Sequence, residues 1–407
     1  MPFHHTKMPV KSDKQVLLSE LGATIRQLIL DNRDNSEDFK EIVELTETLE
    51  RTRNLKTRTH IPKTMALFDV LWDLPDDQFK LIARMSRESF VELVKEIEIK
   101  WVFYSYGTKM QAPVWKQTLL VLNRLGTEGN GAAIKRYAIF HGVSYGTVEK
   151  YTWRVLRAIL ELQDKYVNWP GSIERIQIRD RFKQRWGLAG AIGIIDGTPV
   201  HLYQRPGIDG EVYYTRKGRY SINLQLVCDD RGIIRYYIVG WPGSCYDSTV
   251  LDQSAMGLNP GRYFSRAEWI LADSGYTLKW WICTPYKKPL ALIPVNDLFN
   301  HLFSSCRVLI EHVNGILKNR FASLKGVRVE VKKKEDFQKV NEWIVVCIIL
   351  HNFLKMRNDE WADDNDEEED QAADDWLADR EDQAGAGRDL RQSVQDYLLN
   401  HFANLSI

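Results

Sequence analysis

The chain has 407 residues, 55 of them basic and 55 acidic, and 44% are hydrophobic. That length suggests two or three domains around a substantial core, and the longest strongly apolar run, Trp343 to Leu350, is too short to span a bilayer. The zero net charge conceals a division: from Asn358 onward sixteen acidic residues stand against three arginines and no lysine, a net of −13, so residues 1–357 carry +13.

A basic body with an acidic tail is the asymmetry of a nucleic-acid binder whose tail screens its own surface, although a tail that serves only solubility has the same composition. The five cysteines, Cys228, Cys245, Cys283, Cys306 and Cys347, are odd in number, widely spaced and without a C-x-x-C pair. They read as reduced thiols in an intracellular protein, with no zinc site. The chain has no P-loop lysine motif, no H-E-x-x-H, no G-x-S-x-G and no secretory signal, which removes the commonest nucleotide hydrolases, zinc peptidases and serine hydrolases.

In chain order, Ser12 to Asn32 reads as a helix with Ser12 and Gln15 at capping-box spacing, and Ser36 to Arg51 as a second. The basic stretch Arg51 to Lys63 reads as a linker, with an import signal as the lesser alternative. Residues 1–60 thus form an N-terminal helical segment of unassigned role, and residues 61–175 an all-helical region. Within it, residues 131–163 have helix-turn-helix character. Ala138, Gly142 and Val148 fall in A-x3-G-x5-V spacing. The small Ala lets two helices cross, Gly142 permits the left-handed turn, and Ser144 can cap the second helix. Tyr145, Thr147, Glu149, Lys150 and Arg154 are its expected exposed positions. A DNA-recognition helix has this layout, as does many a small helical hairpin.

The pattern changes after residue 185. Ile192–Ile195, Tyr220–Cys228, Ile233–Val239 and Trp269–Ala272 read as strands, with helices at His301–Arg320 and Glu335–Met356. Residues 185–357 therefore read as an α/β or α+β domain. Residues 358–388 are an acidic segment expected to be disordered, above all Asp359–Asp382. Residues 389–407 form a last amphipathic helix that docks on the body or on a partner.

Phosphodiester cleavage by two metals roughly 4 Å apart needs hard oxygen ligands with room for water and phosphate. Asp196 ends the apolar run Ala191–Ile195 and precedes Gly197; Asp273 ends Trp269–Ala272 and is followed by Gly275. Each is an acid ending a buried strand, though a D-G turn has the same sequence. Glu311 shares a helical stripe with Arg307, Asn314 and Lys318, and by itself reads as half of a surface Arg–Glu pair. Asp247 reads foremost as a helix cap, and secondarily as a support for the site. The run Tyr213–Tyr220 offers Arg216, Lys217 and Arg219 to DNA phosphates, with a solvated strand-edge turn as the alternative. His351 reads as a hydrogen-bonded core histidine.

Six stretches resemble, in order and across about 160 residues, the PIF/Harbinger superfamily of transposases and the Harbinger-derived nucleases: Ile194-Ile195-Asp196-Gly197-Thr198; Arg216-Lys217-Gly218 with Ser221-Ile222-Asn223; Trp241-Pro242-Gly243-Ser244 with Asp247-Ser248; Ala272-Asp273-Ser274-Gly275-Tyr276; Arg307-x3-Glu311 with Leu317-Lys318-x-Arg320-Phe321; and Leu350-His351-Asn352. The resemblance implies a ribonuclease-H-like mixed-sheet core, with Asp196 on the first strand, Asp273 on the fourth and Glu311 on a following helix. It implies that these three hold two Mg²⁺ or Mn²⁺ ions, with Asp247, Ser244 and Ser274 in support, and that double-stranded DNA is cut and joined at transposon ends. A Myb/SANT-like partner and a nuclear location follow from the same resemblance, and a homo-oligomer is compatible with it. Where many relatives carry His soon after D-G-T, this chain has Pro199, with His201 two residues later. A domesticated DNA-binding protein that no longer cuts is the competing reading, and a metal-dependent nuclease without transposition shares the same site.

Overall fold

The computed structural model describes residues 13–52, 55, 64, 66–105, 107, 110–361 and 385–405, with side chains as far as Asn400. Residues 1–62 and 63–407 form two compact units. In the first, α1 (Asp13–Leu30) packs against α2 (Glu37–Arg51). The Ser36 hydroxyl accepts from the Phe39 N–H at 3.2 Å and caps α2. Ser12 and most of the basic stretch Arg51–Lys63 lie outside the described residues.

The second unit begins with α3 (Ala66–Trp72), α4 (Asp76–Ala83), α5 (Arg87–Glu98), α6 (Val114–Leu125), α7 (Ile134–Phe140), α8 (Tyr145–Leu160), α9 (Gln163–Tyr166) and α10 (Ser172–Trp186). The expected turn between α7 and α8 is present. Gly142 adopts φ +59°, and a Cβ there would lie 2.3 Å from the Thr64 carbonyl. Ala138, Val143 and Val148 are buried beneath the turn, and the Ser144 hydroxyl accepts from the Thr147 N–H.

A mixed five-stranded sheet follows: β1 (Ala191–His201), β2 (Ser221–Cys228), β3 (Ile234–Pro242), β4 (Trp269–Leu271) and β5 (Ile282–Cys283), in the order β3-β2-β1-β4-β5. β1, β2 and β3 are antiparallel; β1, β4 and β5 are parallel. The short helices α11 (Asp247–Asp252) and α12 (Ala255–Leu258) join β3 to β4, and α13 (Pro294–Arg320), α14 (Asp336–Lys355) and α15 (Gly385–Leu405) complete the unit.

α14 explains the apolar run seen in the sequence. Every residue from Trp343 to Leu354 is buried, because α8 packs on one side of the helix and β3 on the other; a helix covered on two sides is apolar all round. Trp343 meets Trp153 of α8 edge to face and donates to the Ser323 hydroxyl, so the helical region is fastened to the sheet through α14. The L-H-N motif at its end is a clamp. His351 Nε2 lies 3.1 Å from the Gly232 carbonyl. Asn352 accepts from the Ile234 N–H and donates to the Ile234 and Tyr166 carbonyls. Burial lowers the His351 pKa to about 4 and keeps the ring neutral, as expected of a core histidine.

The start of the acidic segment differs from the expectation of disorder. Asp359 is buried and accepts from the Ser86 N–H at 2.7 Å, with Arg320 and Lys80 each 3.2 Å from Oδ1. Trp361 lies against the Arg84 and Arg320 guanidiniums. A count of acidic residues could not separate this one, which has two cations waiting for it, from those after it. Residues 362–384 lie outside the described residues. The last helix docks on its own chain: Val394 and Leu398 are buried, Gln395 donates to Asn296 of α13, and Tyr286 donates to Gln395.

Burial pushes the Asp359 carboxyl up, but hydrogen bonds from Ser86 and Ser89 and the charges of Arg320 and Lys80 outweigh it and leave the pKa lowered. Asp359→Asn leaves the buried Arg320 without its counter-charge, and is expected to cost about 3–5 kcal/mol. Urea unfolding at pH 7 measures this. A cost below about 1 kcal/mol, the size of a surface pair, would show that the network does not hold the segment.

Candidate active site

Asp196 does not end its strand. β1 runs on to His201, with Asp196 opposite Leu226 and His201 opposite Ser221 of β2. The apolar run stops at Asp196, but the hydrogen-bonding edge of β2 does not, and pairing carries the strand on. Asp196 is therefore held within the β1–β2 ladder, with paired residues before and after it. Asp273 matches its expectation more closely, two residues beyond the last residue of β4. Ile194 pairs with Leu271, so Asp196 and Asp273, each two residues further on, stand at the same level of two parallel neighbours. That is the carboxyl end of parallel strands, where open α/β sheets bind ligands. The Gly275 N–H donates to Asp273 Oδ1 at 3.0 Å and turns the chain away.

α13 crosses the Asp196 face with the polar stripe read from the sequence. Asn314 Nδ2 donates to Asp196 Oδ2 at 3.0 Å, and Arg307 Nη2 lies 3.3 Å from Oδ1. Glu311, between them on the stripe, is 4.0 Å from the same Arg307 nitrogen, with its side chain 55% exposed. The stripe is thus no surface pair alone; it is the lid over Asp196. Burial raises the Asp196 pKa from 3.8 to about 7. Arg307 opposes the rise, and Asp273, Asp247 and Glu311 add to it.

Asp247 does not cap α11, whose cap residue is Tyr246. Its Oδ1 accepts from Asn223 at 2.7 Å and from Gln225 at 3.2 Å. A Cβ on Gly197 would lie 2.5–2.7 Å from the Asp247 carboxylate atoms. Adjacent strand residues face opposite ways, so Asp247 buttresses β1 from behind, against the glycine that follows Asp196. The glycine of D-G-T is required by this contact. Ser244 is exposed and donates to the Val212 carbonyl, and Ser274 is exposed; the described contacts tie neither to the acids.

The expected DNA contacts divide. Tyr145 and Lys150 are exposed and Thr147 is half-buried, whereas the half-buried Arg154 donates to Gln117 at 2.9 Å across the α6–α8 interface. Arg216, Lys217 and Arg219 are exposed in the β1–β2 connection, with Arg216 donating to Tyr246 Oη at 3.1 Å.

Four residues of the site carried no assigned role in the sequence. Arg307 and Asn314 lay on the stripe beside Glu311. Gln225 belongs to the alternation Ser221, Asn223, Gln225, three polar residues on one face of a buried strand, a period-two signal that marks a polar lining. Tyr276 is 2% exposed, and among the described residues its hydroxyl has no hydrogen-bond partner. Burial and the charges of Asp247, Asp273 and Asp196 push its pKa well up and keep it neutral.

Residues 195–352 match the family described as DDE superfamily endonuclease, a span that starts beside Asp196 and ends at Asn352 of the clamp. Beyond that span, the chain is similar to the Harbinger-derived nucleases and transposases. It is 29% identical over 244 residues to the human protein named Putative nuclease HARBI1, covering 60% of this chain and 68% of that one. It is 26% identical over 305 residues to Protein ALP1-like of Arabidopsis thaliana, covering 70% and 72%, and 26% identical over 263 residues to that plant's Antagonist of Like Heterochromatin Protein 1, covering 59% and 62%. No solved structure matches the chain.

Endonucleases of the DDE superfamily are generally metal-dependent. Among the described residues, no three His, Cys, Asp or Glu side chains are grouped to hold one ion. The donor chemistry nevertheless suits a hard divalent cation: carboxylates predominate, and Asn314 Oδ1, beside Asp196, is buried with no hydrogen-bond partner among the described residues. What stands among the acids is the Arg307 guanidinium.

A carboxyl with a raised folded-state pKa binds its proton more tightly in the folded chain, so stability falls as pH rises from about 4 to about 7 and stays lower above that. Asp196→Asn removes the loss. In EDTA, the unfolding temperature of the variant relative to wild type is expected to be about 3–6 °C higher at pH 8 than at pH 5. An equal difference at both pH values would mean that Asp196 is already ionised at pH 5.

Proposed function

We propose that this chain is a metal-dependent DNA endonuclease of the transposase type, in which Asp196, Asp273 and Glu311 hold two Mg²⁺ or Mn²⁺ ions and strands are cut and joined at transposon ends. The observation that carries this is the charge around Asp196. A carboxyl in a buried strand is raised further by three other carboxylates and opposed by one guanidinium. Such surplus negative charge is costly in a structural site and useful in one that takes up cations.

When bound, the ions would activate water and stabilise the leaving oxygen. The chain's own residues do the positioning. β2 holds Asp196 in register, and Asn314 orients one of its oxygens. The Gly275 amide orients Asp273, and Asp247 keeps β1 from shifting behind the site. Water attacks first and exposes a 3′-hydroxyl, which then attacks target DNA. The mixed sheet fits a ribonuclease-H-like core within residues 185–357. Tyr145, Thr147 and Lys150 on α8 would meet duplex DNA, and Arg216, Lys217 and Arg219 the phosphates near the cut. Arg154 serves the packing of α6 on α8. A Myb/SANT-like partner and work in the nucleus belong to the same reading.

The absence of a three-ligand group among the described residues favours a second reading, a domesticated member that binds DNA without cutting. One experiment separates the two: cleavage of DNA bearing the element's terminal repeats in Mg²⁺ or Mn²⁺ by wild type, Asp196→Ala, Asp273→Ala and Glu311→Ala. Each substitution is expected to slow cleavage at least about 100-fold. Equal cleavage by all four would overturn the site. DNA binding without cleavage by wild type would select the second reading.

A further inference from the structure

Two kinds of arginine–carboxylate contact occur in this unit. Arg181 grips Asp230 with two hydrogen bonds, at 2.6 and 2.8 Å, the bidentate geometry of a structural pair. Arg307 does not grip its partners. It approaches Asp196 with one nitrogen at 3.3 Å and Glu311 with the same nitrogen at 4.0 Å. Among the described residues its buried Nε has no hydrogen-bond partner, and its side chain is only 16% exposed. Asp273 and Asp247 add their charge nearby. The guanidinium is held there by charge more than by bonds, between two of the acids proposed to take the metal.

We propose that Arg307 is the resident counter-cation of this acid cluster and that a divalent ion loads by displacing it. The inference rests on the metal reading above. Two cations cannot share the same two carboxylates without strong repulsion, so metal entry and departure of Arg307 are one coupled event. The displaced guanidinium sits on a polar stripe with Lys318 and becomes free to take a DNA phosphate. By linkage, a phosphate that takes up Arg307 strengthens metal binding by the factor with which metal strengthens phosphate binding.

The test is a calorimetric Mn²⁺ titration of the full chain at pH 8.5. Arg307→Gln is expected to bind Mn²⁺ about tenfold more tightly than wild type, and Arg307→Lys, which keeps the charge, to stay near wild type. Asp196→Asn sets the background. Equal or weaker binding by Arg307→Gln, with wild type above background, overturns the displacement and leaves the metal site standing. No variant above background overturns both. A second measurement needs no substitution at Arg307 beyond assignment: the Arg307 side-chain NMR signal of wild type is expected to shift when Mg²⁺ is added. A signal unmoved by saturating Mg²⁺ overturns the proposal.

Discussion

The contact between Asp196 and Arg307 sets the terms for the rest of the unit. A carboxylate in the middle of a five-stranded sheet is stable only where a cation answers it, and the cation here arrives from α13, a helix of 27 residues. That helix must lie at the height that brings Arg307 and Asn314 onto the two oxygens of Asp196. Its polar stripe is fixed by this demand and its apolar side by the core, where Phe303, Cys306, Ile310 and Leu317 are fully buried. Glu311 is carried along on the stripe, close to Arg307 and still largely exposed, which leaves it free to move towards an incoming ion.

The remaining supports keep the sheet rigid beneath that contact. Asp247 presses on Gly197 from the opposite face, held by amides that alternate along β2. Asn352 and His351 lock the β2–β3 hairpin to α14, and α14 in turn carries the helical region through Trp343. Arg320, at the end of α13, closes on Asp359, so the helix that covers the site is anchored at the point where the acidic tail departs. These are buried, hydrogen-bonded interactions, the kind whose loss is felt across a fold.

Much of this could be read from the chain beforehand. The four strand cores, the α7–α8 turn with Gly142 and the stripe on α13 all follow from periodicity and from the special roles of glycine and small residues. The acids were legible as acids in unusual places, but their roles were not equally so. Asp196 seemed to end its strand because hydrophobicity stops there, whereas strand pairing depends on backbone bonds that side-chain pattern does not record. Asp247 looked like a cap because Asp often is one; its partners are Asn223 and Gln225, more than twenty residues away in sequence. Arg307 was visible as a neighbour of Glu311, but its more important partner, Asp196, is brought to it only by the fold. Ser244 and Arg154 were placed by motif or helix face, and each donates a hydrogen bond within the chain, to Val212 and to Gln117.

The Asp196 cluster is proposed to take up a divalent cation. Crystals grown or soaked with Mn²⁺, with anomalous data collected at the manganese edge, test it most directly. An anomalous peak is expected in contact with the Asp196 and Asp273 carboxylates, with the Arg307 guanidinium turned away from Asp196. A saturated soak with no peak there, and Arg307 still against Asp196, would contradict it.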